Sequence, residues 1–265
     1  MISALLSDVS ILWLLVLFIV GAVVITLLGW WILHRTVKKD AERGGHNEVV
    51  GLLFTMIGGL YAILLAFIIV DVWTDFHAAD NAVTQEASAV MLVADYAGSL
   101  PAPAAHEFRQ KLGDYVETVM NDEWQTMANN WGAEVNSPKA EAQLADLWRF
   151  VHNVPPDQQK DSLLAGALGS MTQYRVVRLM SSNSVVPDIF WLILFLGMLL
   201  LIFLSLMLYM DNSRLHLALV IILSIMLAIS LWIIAITNNP FAGDVHVTPD
   251  ALQFTLKIIH QMLKT

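Results

Sequence analysis

The sequence predicts an all-α membrane protein: four transmembrane helices, with an extramembrane helical domain inserted between the second and the third. Three observations predict it. Of the 265 residues, 57% are hydrophobic and 14% charged, with a mean hydropathy of +0.64, which is too apolar for an ordinary soluble domain of this length. The apolar residues gather into four uncharged stretches, each near the roughly 20 residues a helix needs to cross a hydrocarbon core about 30 Å thick. Between the second and third stretches lies an insert with 14 acidic and 7 basic residues, a composition that belongs in water.

The first stretch, residues 9–33, is longer than the apolar core of a secretory signal. It also lacks a basic leader and runs into His34, Arg35, Lys38 and Lys39 with no small-residue cleavage site, so it is expected to be retained. Those residues and Arg43 make 34–47 the basic loop. Short basic loops stay cytoplasmic, which puts both termini and the inserted domain on the outer side of the membrane. The other spans are 49–70, 189–210 and 217–237, and Trp30, Trp31, Trp73, Trp191 and Trp232 near span ends resemble an interfacial aromatic belt.

No proline lies between Asn47 and Leu100, so the second span is expected to continue into the insert as one helix of about 50 residues, with Phe76, Ala79, Val83, Ala87, Val90 and Ala94 on one face. Further helical faces are Phe108, Leu112, Tyr115 and Val119; Leu144, Leu147, Trp148 and Val151; and Leu164, Leu168 and Met171. Breaks fall at Pro101 and Pro103, within 129–138, and at Pro155 with Pro156, while Pro187 suits the opening turn of the third span. The chain thus divides into 1–73, the first two spans with their basic loop; 74–186, the acidic helical domain; 187–238, the last two spans; and 239–265, a tail. In that tail Leu252, Leu256, Ile259 and Met262 share a face of a short amphipathic helix.

Several chemistries lack their residues. Without cysteine there is no disulfide framework and no thiolate site. A net charge of −9 with no basic stripe argues against nucleic acid. The glycine pair Gly58-Gly59 lies inside an apolar span with no lysine after it, and neither a His-Glu-x-x-His pair nor a Gly-x-Ser-x-Gly elbow exists. The chain is therefore not expected to be an enzyme, and no cofactor is implied.

The second span holds the candidate residues. Gly51, Thr55, Gly58, Gly59, Ala62 and Ala66 draw a stripe of small residues that admits another helix closely. A second face carries Met56, Leu60, Leu64, Phe67 and Asp71; it either meets lipid and neighbouring helices or, in a symmetric oligomer, rings a pore with an apolar constriction. Asp71 is either an interface anchor or a charge at the pore mouth. Asp71, Asp75, His77 and Asp80, and separately Asp244, His246 and Asp250, make poor cation sites, so no metal is expected. Asn239, Pro240, Phe241 and Gly243 mark a sharp turn after the last span.

One family shares these features. His46-Asn47-Glu48, Gly51, Phe54, Gly58, Tyr61 to Phe67 and Trp73, with Asp122-Glu123-Trp124 and the Asn239-Pro240-Phe241 tail, resemble the bestrophin-like family of bacterial membrane proteins, related to bestrophin anion channels. The resemblance implies a homo-oligomer, typically a pentamer, that conducts inorganic anions such as chloride through a pore lined by the second transmembrane helix. Leu60, Leu64 and Phe67 are then the constriction candidates and Asp71 the pore-mouth charge. It also implies a bacterial inner membrane and a cytosolic helical domain, opposite to the loop-charge reading, which makes the domain periplasmic. The acidic run that follows Asn-Pro-Phe in calcium-activated bestrophins is missing here. The expected function is an oligomeric ion channel; the alternative is a non-conducting, membrane-anchored helical domain that binds a partner or senses the envelope.

Overall fold

The structure, a computed structural model, describes residues 10–36, 44–129, 136–153, 160–182 and 186–264. Residues 1–9, the basic residues Lys38, Lys39 and Arg43, and the prolines Pro155 and Pro156 lie outside the described residues. Described are α1 (Ile11–Thr36), α2 (Gly44–Ala97), α3 (Ala102–Thr118), a π-helical turn (Val119–Glu123), α4 (Trp124–Asn129), α5 (Pro138–Asn153), α6 (Lys160–Ser181), α7 (Asp188–Met207), α8 (Ser213–Thr237) and α9 (Asp250–Met262). The fold is all-helical, and α1, α2, α7 and α8 are long and apolar enough to cross a membrane. The chain is an integral membrane protein, and the bilayer is its solvent along these helices.

Local chemistry sets the helix ends. The side-chain oxygen of Asn212 accepts from the backbone N–H groups of Arg214 and Leu215, both at 3.2 Å, and so caps the start of α8. Pro187 precedes α7, with Asp188 in the first turn, where a carboxylate suits the positive end of the helix dipole. Helix α2 runs 54 residues without a break, about 81 Å at 1.5 Å per residue. It stops at Gly98, where Arg109 Nε donates to the carbonyl of Ala94 at 3.0 Å. A cation there meets unsatisfied carbonyls at the negative end of the dipole.

The residues form two units: Met1–Trp73 with Val185–Asn238, and Thr74–Ser184 with Asn239–Thr265. In the first, α1 and α8 pack along Ala22, Thr26, Ser224 and Ala228, all buried and all small. Thr26 and Ser224 hydroxyls share a 2.6 Å hydrogen bond, which satisfies two polar groups that lipid could not. Its apolar core joins Tyr61, Leu65, Ile68 and Val72 of α2 to Trp191, Leu194 and Met198 of α7 and Leu227, Leu231 and Ile234 of α8.

The second unit buries the faces that the helical spacing marks. Ala79, Val83, Ala87, Val90 and Ala94 of α2 meet Phe108, Leu112, Tyr115 and Val116 of α3, Leu144 and Leu147 of α5, Leu164, Leu168 and Met171 of α6, and Leu252, Leu256 and Ile259 of α9 in one core. Ser137 starts α5 as its N-cap, its hydroxyl accepting from the N–H of Ala140 at 3.3 Å, with Pro138 at the first helical position.

Candidate functional site

In the membrane unit, α2 meets α7 along the face that carries Tyr61. Tyr61 donates its hydroxyl to the Leu194 carbonyl at 2.8 Å, and its ring lies on Gly197, where a Cβ would sit 2.3 Å from the ring. Gly58 faces Leu201 at 3.6 Å from its would-be Cβ. The close approach here is made by a small residue on α7 under a large one on α2.

The rest of the small-residue stripe turns elsewhere. Thr55, Gly59, Ala62 and Ala66 are exposed and Gly51 is half-exposed; a Cβ added at Gly51 or Gly59 would meet nothing within 4 Å. Of the constriction candidates, Leu60 and Phe67 are each 70% exposed, whereas Leu64 is half-buried at the edge of the unit's core. Asp71 is exposed one turn beyond Phe67, on the same face. Fixed charge along α2 has one sign: Glu48, Asp71, Asp75, Asp80, Glu86 and Asp95 lie within it, and no lysine or arginine does.

The tail residues group in the second unit. Asn239 is buried and its side-chain oxygen accepts from the Phe241 N–H at 3.0 Å; Phe241 sits edge-on to Trp124, ring centres 5.4 Å apart. The Val247 N–H donates to the Pro240 carbonyl at 2.7 Å across a turn that needs φ +81° at Gly243, a conformation glycine adopts at no steric cost. Among the described residues no cluster of three or more His, Asp or Glu is placed to hold a metal ion.

Beside that turn lies a feature that helical spacing did not reveal. Arg178 of α6, fully buried, binds Glu86 of α2 through Nε and Nη2 at 2.5 and 3.1 Å and Glu123 of the π-helical turn through Nη2 at 2.7 Å. Arg175, one turn earlier, reaches the same Glu123 at 2.6 Å and the half-exposed edge of the network at Glu141 at 2.8 Å. The guanidinium of Arg178 also stands 5.5 Å from the centre of the Trp124 ring. Two buried acids and two buried arginines therefore cancel in charge, and the bidentate geometry is what makes burial of four ions tolerable. Burial opposes the Glu123 charge, but Arg178 and Arg175 outweigh it and hold its carboxyl below the usual carboxylate range. Burial raises the Tyr115 hydroxyl well above its ordinary value, and nearby Glu86 adds to the rise, so the phenol stays neutral. The sequence signal was available: Arg175 and Arg178 interrupt, three residues apart, the buried face that Leu168 and Met171 begin.

A four-span membrane unit and a helical domain split around its last two spans define a class of integral membrane proteins. The family model of the Bestrophin-like domain matches residues 20–252, and the chain belongs to that family. Comparison with curated proteins gives no match. Crystal structures of a bacterial Bestrophin homolog from Klebsiella pneumoniae share the fold. A tryptophan-to-alanine variant is 12% identical at a TM-score of 0.73, covering 97% of this chain and 99% of that one. An isoleucine-to-threonine variant is 14% identical at a TM-score of 0.68, covering 96% and 99%. A third structure of the homolog is 13% identical at a TM-score of 0.69, covering 94% and 96%. Membership of this family supports a function of the ion-channel kind.

Proposed function

We propose that the protein is a homo-oligomeric ion channel whose conduction path is lined by α2, with Leu60, Leu64 and Phe67 forming the apolar constriction and Asp71 the charge at its mouth. The observation that carries this reading is the uncovered face of α2: Leu60, Phe67 and Asp71 are exposed, beside exposed Thr55, Gly59, Ala62 and Ala66. A bilayer-spanning helix with a small-residue stripe next to a bulky apolar row can pack its stripe on a neighbouring copy and present the row to a central axis. A pentamer is the assembly the family resemblance implies.

Anion conduction is likewise the expectation from resemblance, and α2 offers it no lysine or arginine. Carboxylates along a conduction path enrich cations instead. The test is ion flux through the purified protein in liposomes, with reversal potentials measured across a potassium chloride gradient. Flux at the chloride potential supports the anion channel; flux at the potassium potential keeps the channel and overturns its anion selectivity. No flux under varied pH, calcium and voltage, from a protein that is monomeric in detergent, favours the anchored binding domain.

A further inference from the structure

The membrane unit contains a cavity of about 350 Å³ walled by α2, α7, the turn after it, and α8. Phe54, Leu208, Leu219, Val220 and Leu223 form its apolar wall. We propose that this cavity binds an acyl chain of a bilayer lipid. The volume lies within the range of small-ligand sites.

Two observations choose the occupant. First, the strongest polar groups of the wall are already engaged with backbone. The Asn47 amide donates to the Tyr209 carbonyl and accepts from the Tyr209 N–H, both at 2.8 Å, and buried His216 pairs its Nε2 with the Ser205 carbonyl at 3.0 Å. A water molecule needs about three polar partners to stay in such a place, and apolar cavities remain dry. The occupant is therefore apolar. Second, the wall is continuous with the surface that meets lipid: Leu219 belongs both to the cavity and to the exposed row Leu215, Leu219, Ile222 and Met226 along α8. A chain lying along that row has only to turn in past Leu219. Burying it there gains dispersion contacts that an empty cavity forfeits. The proposal does not rest on ion conduction.

The experiment uses the full chain in phosphatidylcholine vesicles that include phosphatidylcholine with a diazirine on one acyl chain. Illumination labels what the chain touches, and mass spectrometry assigns the labelled residues. Label at half-buried Phe54 and Leu223 above that at exposed Met226, which meets bulk lipid, is the expected result. Leu219→Trp and Leu223→Phe both narrow the cavity, the first from an exposed position that the fold tolerates. Each is expected to remove the excess at Phe54 and leave Met226 unchanged. Label at Phe54 no higher than at Met226, or untouched by both variants, overturns the proposal. So does a variant that lowers the protomer number and raises the label at Phe54, because the cavity would then have held a second copy of the chain.

Discussion

Two buried tyrosines carry the same hydroxyl into different settings. That of Tyr61 donates to Leu194, whereas that of Tyr115 has no hydrogen-bond partner among the described residues. Tyr61→Phe is therefore expected to cost about 1 kcal/mol of stability, and Tyr115→Phe to be neutral or stabilising, in thermal unfolding of the detergent-solubilised protein. Gly197→Ala drives a methyl into the Tyr61 ring, which its own hydrogen bond holds in place, and should cost about 1–3 kcal/mol. Within the ionic network, Glu123→Gln leaves two buried arginines short of a counter-charge and should cost about 3–5 kcal/mol. The sign of the pH effect follows from the lowered Glu123 value. Its contribution is complete above the unfolded carboxylate value of about 4.3 and is lost as pH falls through the lower folded value. Unfolding temperature should thus hold level near neutrality and fall on acidification below about pH 5, with a shallower acid limb in Glu123→Gln.

Helix α2 is the element on which the channel reading turns. If its exposed face lines the path, Leu60→Ala and Phe67→Ala should raise flux in liposomes while leaving unfolding temperature nearly unchanged, since neither side chain packs within the chain. A large drop in stability without any change in flux would place these residues in packing instead. Asp71→Asn should move the reversal potential away from potassium without altering expression or protomer number. Much of this element was legible in advance: an unbroken run from Asn47 to Leu100 gave its length, and residues 79 to 94 its buried side. Its partner was not. The stripe Gly51 to Ala66 marks a face that another helix can approach; within the chain Gly58 of that stripe faces Leu201 of α7, and the tighter contact pairs Gly197 with Tyr61. A stripe shows that a helix can be approached; only the three-dimensional pairing shows by what. The ionic network escaped for a related reason. Glu86 stands 92 residues from Arg178, and periodicity along one helix carries no information about a charge arriving from another.

At the scale of the molecule, the side of the membrane on which the helical domain lies is set by opposing arguments, the basic loop and the family resemblance. The absence of native cysteine makes the measurement direct. Gln110 is exposed on α3, whereas Ser137 is buried and bonded to Asp122 and Ala140, so Gln110→Cys is the position to label with an impermeant thiol reagent in whole cells. Labelling before lysis is expected if the basic loop sets topology; protection until lysis restores the cytosolic domain.

The helical domain is also interrupted in the order of synthesis. Its core holds Ala79 through Met171 early in the chain, then Phe241, Leu252, Leu256 and Ile259, made only after α7 and α8. Domains fold as units during translation when their sequence is contiguous. This one has to wait, with the Trp124 ring and the α2 face short of their last neighbours, until both later spans have been made. A ribosome stalled after Asn238 should leave the domain sensitive to protease at sites the finished protein shields, so that the domain's resistance reports completed biogenesis of the whole chain.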